Sequence, residues 1–275
     1  MPADLAAWSP PLDPLEAAYF EFPGASQRGV LGARWEAAGP AAMAAHPHET
    51  VGYGPVEPYA LDLFLPQDRP DPAILVFFHG GYWQRRSRRD FAWIAPAFLG
   101  QGVGVAMMGY PLAPAARLEE IVQAARAGLD ALVRARPAAR LLLAGHSAGG
   151  HLVAMLAGAA PPKAVVGCLP ISGVFELTPL LGTSVNDALG LDRARARSLS
   201  PRLLEPPRMP VLAAVGSLES DEFRRQSRDY ASYVGVSGTD AGSLEVSGRN
   251  HFDVLDAFAS PTSPLFRSAL GMLAA

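Results

Sequence analysis

Gly145-His146-Ser147-Ala148-Gly149 is the stretch of this chain whose residue types and spacing could do chemistry. It lies between the apolar run Leu141–Ala144 and the helix-like His151–Leu156, where a strand would turn sharply into a helix. A G-x-S-x-G pentapeptide in that context is a nucleophile elbow, whose glycines let backbone pass close to backbone while the serine is held exposed in a strained conformation. Ser147 is therefore the candidate nucleophile. His146 and His151 beside it are read as packing or hydrogen-bonding residues.

A serine hydroxyl is a weak nucleophile at neutral pH and needs a base that a carboxylate orients. Around an elbow, the order along the chain is serine, acid, histidine. Of the six histidines only His251 follows the acid-bearing region, in a loop after the strand-like Ser243–Val246, which makes it the base. The acid should follow the strand Val211–Val215. Glu219 lies nearest that strand's end, whereas Asp221 and Glu222 fall in the first turn of a helix through Phe223 and Tyr230, where carboxylates complement the dipole. Glu219 is the choice and Asp221 the rival; Asp253 and Asp256 follow the histidine and break the order. A tetrahedral intermediate also needs donors aimed at its oxyanion. His79-Gly80-Gly81-Tyr82-Trp83 follows the strand Ala73–Phe78, and the amides of Gly80, Gly81 and Ala148 are the expected donors, with His79 shaping the loop.

The elements that must position these residues follow from hydrophobic patterning. Tyr59–Leu65 alternates like a half-buried strand. Ala73–Phe78, Val103–Met108, Leu141–Ala144, Val165–Leu169 and Val211–Val215 are continuous apolar runs, as in parallel strands covered on both faces. Between them, Arg117–Arg136 carries one helical apolar stripe that Pro137 stops. The pattern predicts an α/β fold with a mostly parallel central sheet and helices on both faces. Residues 1–50, rich in Ala, Pro and Gly, read as an arm packed on the domain, with a short helix near Leu15–Phe20. Residues 51–275 form the domain, with an insertion at about 175–201 over the sheet's carboxyl edge and hence over the active site.

Composition narrows the function classes. A chain of 275 residues, 49% hydrophobic and 18% charged, suits one sizeable domain. A net charge of -3 speaks against nucleic acid as a partner. Cys168, the single cysteine, sits in an apolar stretch and reads as a buried, inert thiol. Asp4 and the prolines Pro2, Pro10, Pro11 and Pro14 do not make a signal peptide, and no apolar run approaches the roughly 20 residues that span a bilayer, so no membrane partner and a cytoplasmic location are expected. Arg85-Arg86-Ser87-Arg88-Arg89 reads as a solvated loop and helix start, with a side role in attracting an anionic substrate. His46-Pro47-His48-Glu49 has no distant Cys or His set to complete a metal site, so neither metal nor cofactor is expected. The expected partner is a small-molecule substrate, and a homodimer is left open.

On these residues the chain resembles the α/β-hydrolase superfamily over residues 50–275, and within it is similar to the arylformamidase, or kynurenine formamidase, family. The narrower resemblance is carried by His79–Trp83, Gly145–His151, Ile171-Ser172-Gly173-Val174-Phe175-Glu176-Leu177, Thr183–Asp187 and Glu222–Ser227. It implies Ser147, Glu219 and His251 as nucleophile, acid and base, Gly80, Gly81 and Ala148 as oxyanion donors, and cleavage of N-formylkynurenine to formate and kynurenine. Well-known eukaryotic members carry Asp where Glu219 aligns, which keeps Asp221 in contention. Tyr82, Trp83 and Phe175 are the expected walls around the aryl leaving group. Gly109-Tyr110-Pro111-Leu112-Ala113-Pro114 resembles a segment of hormone-sensitive-lipase-like esterases, so a carboxylesterase for short-chain or aryl esters is the alternative. A non-catalytic binding protein on a hydrolase fold is disfavoured, because the whole catalytic set is present.

Overall fold

The computed structural model describes residues 13–69 and 71–274. The expectations drawn from Asp4, Pro2, Pro10 and Pro11 lie outside those residues. The described chain opens with helices α1 (Pro14–Phe20) and α2 (Arg28–Ala45), then strands β1 (His48–Gly52), β2 (Ala60–Phe64) and β3 (Ile74–Phe78). There follow α3 (Ala95–Leu99), β4 (Gly104–Met108), α4 (Leu118–Ala135), β5 (Leu141–His146), α5 (Ala148–Gly158) and β6 (Val165–Ile171). After two short helices, α6 (Asn186–Leu189) and α7 (Arg193–Ser198), come β7 (Val211–Gly216), α8 (Asp221–Val236), β8 (Ala241–Val246), α9 (Val254–Phe258) and α10 (Pro264–Ala274).

The strands form one sheet in the order β1-β2-β4-β3-β5-β6-β7-β8. Only β1–β2 and β2–β4 pair antiparallel; β3 to β8 run parallel, as the apolar runs predict. On one face Val76 and Leu143 of the sheet pack with Ile121 and Leu129 of α4 and Leu152 of α5. On the other, Leu75 and Phe77 pack with Phe98, Phe258 and Phe266 from α3, α9 and α10. Each layer removes large aromatic and branched side chains from water, the dominant stabilising term in such a fold.

Parallel pairing is what gathers the chemistry. Phe78 at the end of β3 lies beside Gly145 of β5, and Gly216 at the end of β7 lies beside Val246 of β8. The loops that leave these four strands therefore emerge along a single edge, with His79, Ser147, Glu219 and His251 on them, as expected for ligands in open α/β sheets.

The structure departs from four of these expectations. β2 is buried along its whole length instead of showing one face to water. Its outward-looking Asp62 is fully buried and accepts a hydrogen bond of 2.7 Å from Arg88 Nε, so Arg88, nominally part of a solvated basic run, is an interior residue in an ion pair. Two buried opposite charges at contact distance satisfy each other where water cannot. The segment before residue 50 holds more than an arm with one short turn: α2 runs for 18 residues, and β1 adds an edge strand. Finally, no residue of 175–201 is among those lining the cavity beside Ser147.

Candidate active site

Ser147 sits between β5 and α5 at φ 54° and ψ −116°, a backbone conformation that a side chain other than glycine's rarely adopts. Its amide donates 2.8 Å to the Ile171 carbonyl, which fixes the turn to β6. The turn is tight enough that a Cβ at Gly149 would fall 2.0 Å from the Phe78 carbonyl oxygen, so glycine is required there. Tyr82, Trp83 and Ser172 also have positive φ, and all three lie in strand-end loops around the same edge. Strained backbone of this kind persists where surrounding structure over-determines it, commonly at functional sites.

Glu219 is buried, and its carboxylate is fully engaged. Oε2 accepts 2.6 Å from His251 Nδ1, while Oε1 accepts 2.5 Å from the Ser172 hydroxyl and 2.7 Å from the Gly216 amide. With Nδ1 thus donating, His251 carries its other nitrogen, Nε2, as the ring atom free to take a proton. Asp221, the rival, projects from the first turn of α8 with its side chain 98% exposed, and pairs only loosely with Arg224 at 3.6 Å. The structure brings Glu219 to His251 and leaves Asp221 in solvent.

Gly80 and Gly81 lie at the end of β3 against the elbow: a Cβ at Gly80 would come within 3.2 Å of Ser147 Cβ. His79 braces this loop from behind, sharing its Nδ1 with the Gly80 carbonyl at 2.8 Å and stacking on Tyr110 at 4.2 Å. Ala148 begins α5, where the first backbone amides have no partner within the helix. Three histidines here are kept neutral. Burial holds His79 and His151 down to about 4, and burial together with the neighbouring His251 holds His146 well below the usual histidine range. His146 Nε2 lies 2.7 Å from the His251 carbonyl, and His151 Nε2 lies 2.8 Å from that of Leu199; each nitrogen must donate.

Ser147 and His251 face one narrow cavity of about 100 Å³. Its floor is Gly80, Gly81, His146, Ser147 and His251. Its roof comes from the first described helices and the turn between them: Tyr19, Phe20, Phe22, Arg28 and Trp35, with Tyr82 and Phe252 closing the sides. The roof is fastened to the loops beneath it. The Tyr82 hydroxyl donates 2.8 Å to the Tyr19 carbonyl, the Ser220 hydroxyl 2.6 Å to that of Ala18, and the Tyr19 hydroxyl 3.0 Å to Glu222. Of the three expected walls only Tyr82 lines the cavity. Trp83 is fully buried edge-on against His151, and Phe175 is stacked at 4.2 Å on Tyr230, both as core residues. The roof residues escaped sequence reading because nothing in a Pro- and Ala-rich segment says which strand ends it will cover. Ser172 was visible in its motif, but its bond to the acid was not.

Cys168 is buried, and burial pushes its thiol up, in keeping with an inert role. Among the described residues no group of three or more His, Cys, Asp or Glu is placed to hold a metal ion, and no helix is long and apolar enough to cross a membrane.

Comparison with known proteins adds the following. A family model described as the alpha/beta hydrolase fold matches residues 75–253, a span that contains Ser147, Glu219 and His251. A kynurenine formamidase from Danio rerio is 30% identical over 237 residues, 81% of this chain and 80% of the relative. One from Drosophila melanogaster is 30% identical over 226 residues, 75% of each chain. Among solved structures, a Silicibacter sp. TM1040 protein provisionally described as a thioesterase superposes with a TM-score of 0.82 at 29% identity, covering 94% of this chain and 97% of its own. A Pyrobaculum calidifontis esterase superposes with a TM-score of 0.70 over 90% of this chain and 91% of its own, and at 18% identity it shows the shared fold.

Proposed function

The chain belongs to the α/β-hydrolase family, on its kynurenine-formamidase-like branch, and from that premise we propose that it hydrolyses N-formylkynurenine to kynurenine and formate through Ser147, His251 and Glu219. The observation that carries the reading is the 2.6 Å bond from His251 to a buried Glu219, with Ser147 facing the same cavity as that histidine.

In this reading His251 Nε2 takes the Ser147 proton as Oγ attacks the formyl carbon. The carbonyl oxygen becomes an oxyanion held by the amides of Gly80, Gly81 and Ala148. Donors fixed before the reaction need no reorganisation when charge develops, and one such donor is commonly worth about 3 kcal/mol of barrier. Glu219 orients the ring and stabilises the imidazolium, and is itself held in place by Ser172 and Gly216. His251 then gives its proton to the aryl nitrogen, the C–N bond breaks, and kynurenine leaves. Water, activated by the same histidine, attacks formyl-Ser147 and releases formate. A narrow cavity suits an acyl group without a side chain, and the aryl portion would rest on Tyr82, Phe22 and Phe252.

A carboxylesterase would use the same residues, and the kinship with esterases and a thioesterase in fold keeps acyl esters as the second reading. The test compares kcat/KM for N-formylkynurenine with a p-nitrophenyl ester series. The formamide should exceed p-nitrophenyl acetate by about two orders of magnitude, and each added methylene on the acyl group should cost about 1 to 3 kcal/mol in a fitted site. Fastest turnover of butyryl or longer esters would hand the assignment to the esterase reading. A cytoplasmic location and a homodimer belong to the same proposal, and are tested by cell fractionation and by the mass in solution.

A further inference from the structure

The cavity beside Ser147 is lined by three arginines, Arg28, Arg85 and Arg86, and by no aspartate or glutamate, although the chain as a whole carries a net charge of -3. Arg86 is spoken for, since its guanidinium pairs with Glu36 at 2.5 Å. Arg28 and Arg85 form no ion pair among the described residues. They come from different places, Arg28 at the start of α2 and Arg85 four residues after Gly81, so the mouth of the cavity receives one cation from the roof and one from the floor.

Arg28 is held ready for a ligand. Its guanidinium lies 5.4 Å from the Phe20 ring centre and 5.8 Å from that of Phe252, and one N–H donates 3.2 Å to the Phe20 carbonyl. Two aromatic faces and one hydrogen bond fix the plane of a group that carries five donors. Phe252 in turn sits 5.5 Å, centre to centre, from the His251 ring. A carboxylate on the leaving group of a substrate whose carbonyl sits at Ser147 would thus meet a half-buried, oriented guanidinium, the geometry arginine offers for bidentate recognition.

We propose that Arg28 and Arg85 recognise a carboxylate on the leaving group, so that the enzyme selects anionic aryl substrates over neutral ones of the same shape. This rests on the hydrolase reading but not on the formamide: the acyl group is read at Ser147 and the charge at the arginines, in different parts of the cavity.

The test uses two matched pairs, 3-formamidobenzoate with formanilide, and 3-acetoxybenzoate with phenyl acetate, each differing only by a carboxylate. For the full chain, kcat/KM should favour the carboxylate member of each pair by about tenfold or more, as expected for one charge-assisted hydrogen-bonded contact. The double variant R28Q/R85Q should bring each ratio to within about threefold of unity, mainly through KM, while turnover of the neutral members stays within about threefold and shows that the fold and triad are intact. Raising NaCl should weaken binding of the anionic members alone. Carboxylate and neutral substrates handled alike by the wild type, or an equal loss on both in the variant, would overturn the proposal. If the esters show the charge preference and neither formamide is turned over, the formamidase reading fails while the arginine assignment stands.

Discussion

The floor and the roof of the cavity follow different rules. The floor is built from strand-end loops of a parallel sheet and is dense in hydrogen bonds: Glu219 accepts three, and His79, His146 and His151 are buried and neutral. The roof is a pair of helices and a turn laid over that edge, with half-buried Phe20, Phe22 and Arg28 in place of a catalytic network. Chemistry that must be preorganised to a fraction of an ångström sits on the rigid sheet, while in the reading proposed above the covering helices share in selecting the leaving group, where substitution costs least. The contrast predicts a sharp division between variants that abolish kcat and variants that move KM.

The largest effect should come from the floor. Ser147→Ala is expected to lower kcat by about four to six orders of magnitude, with melting temperature nearly unchanged, because nucleophile and base act as one unit. Adding His251→Ala should then cost little more. Steady-state rates and calorimetry of the purified variants read this directly; a Ser147→Ala protein within tenfold of wild type would dissolve the division altogether.

Next comes the acid. Glu219→Gln should reduce kcat by about 10⁴, since an amide no longer favours the imidazolium or the right tautomer. Asp221→Asn, at a side chain 98% exposed, should change kcat by less than about threefold, as surface substitutions generally do. The opposite ranking would mean that the bond between His251 and Glu219 is not the one used in turnover.

Acid should weaken the floor through its neutral histidines. His79 and His151 have folded values near 4, below the unfolded value of about 6.5, so the unfolded chain binds more protons across that interval. Their stabilising contribution is complete above about pH 6.5 and is lost as pH falls towards 4, at about 1.4 kcal/mol per pH unit for each histidine. His146, depressed in the same direction, adds to the loss. Urea unfolding at pH 7, 6 and 5 should show stability falling steadily, and a chain equally stable at pH 5 and 7 would refute the buried neutral state.

How much of this was written in the sequence differs between the two regions for a physical reason. The floor was legible because each chemical step needs a particular residue type beside a particular turn: the apolar runs ending at Phe78, Ala144 and Val215 and the strand-like segment ending at Val246 each precede one of Gly80, Ser147, Glu219 and His251, and the parallel pairing puts those ends on one edge. The choice of Glu219 over Asp221 needed only the position of the helix start, and Ser220 does cap α8. The roof was illegible because α2 lacks the usual signal. It buries Gly32, Trp35 and Gly39 and contains Pro40, so no stripe of large apolar residues marks its inner face. Gly39 lies so close to the segment Arg88–Ile94 that a Cβ there would fall 2.0 Å from the Arg89 carbonyl oxygen. Backbone packs on backbone at that crossing, and periodicity scales see nothing. The error over Trp83 and Phe175 has a related origin: aromatics next to a motif are core residues as readily as walls, and only depth separates the two.

The smallest expected effect is the one that sharpens the contrast most. Phe22 lies 5.7 Å from the His251 ring and 5.6 Å from Phe252, lines the cavity, and belongs to the turn between α1 and α2. It makes no bond to the triad, so Phe22→Ala should leave the acylating machinery intact and remove only apolar surface from the proposed aryl site. Losing part of a phenyl contact, about 1 to 1.5 kcal/mol, corresponds to a rise in KM of about fivefold to tenfold with kcat within about threefold. A small fluorophosphonate, which has no aryl group to place, should label Ser147 in the variant at nearly the wild-type rate. If instead kcat falls a hundredfold and labelling slows with it, the covering turn is holding His251 in position, and roof and floor are one catalytic unit.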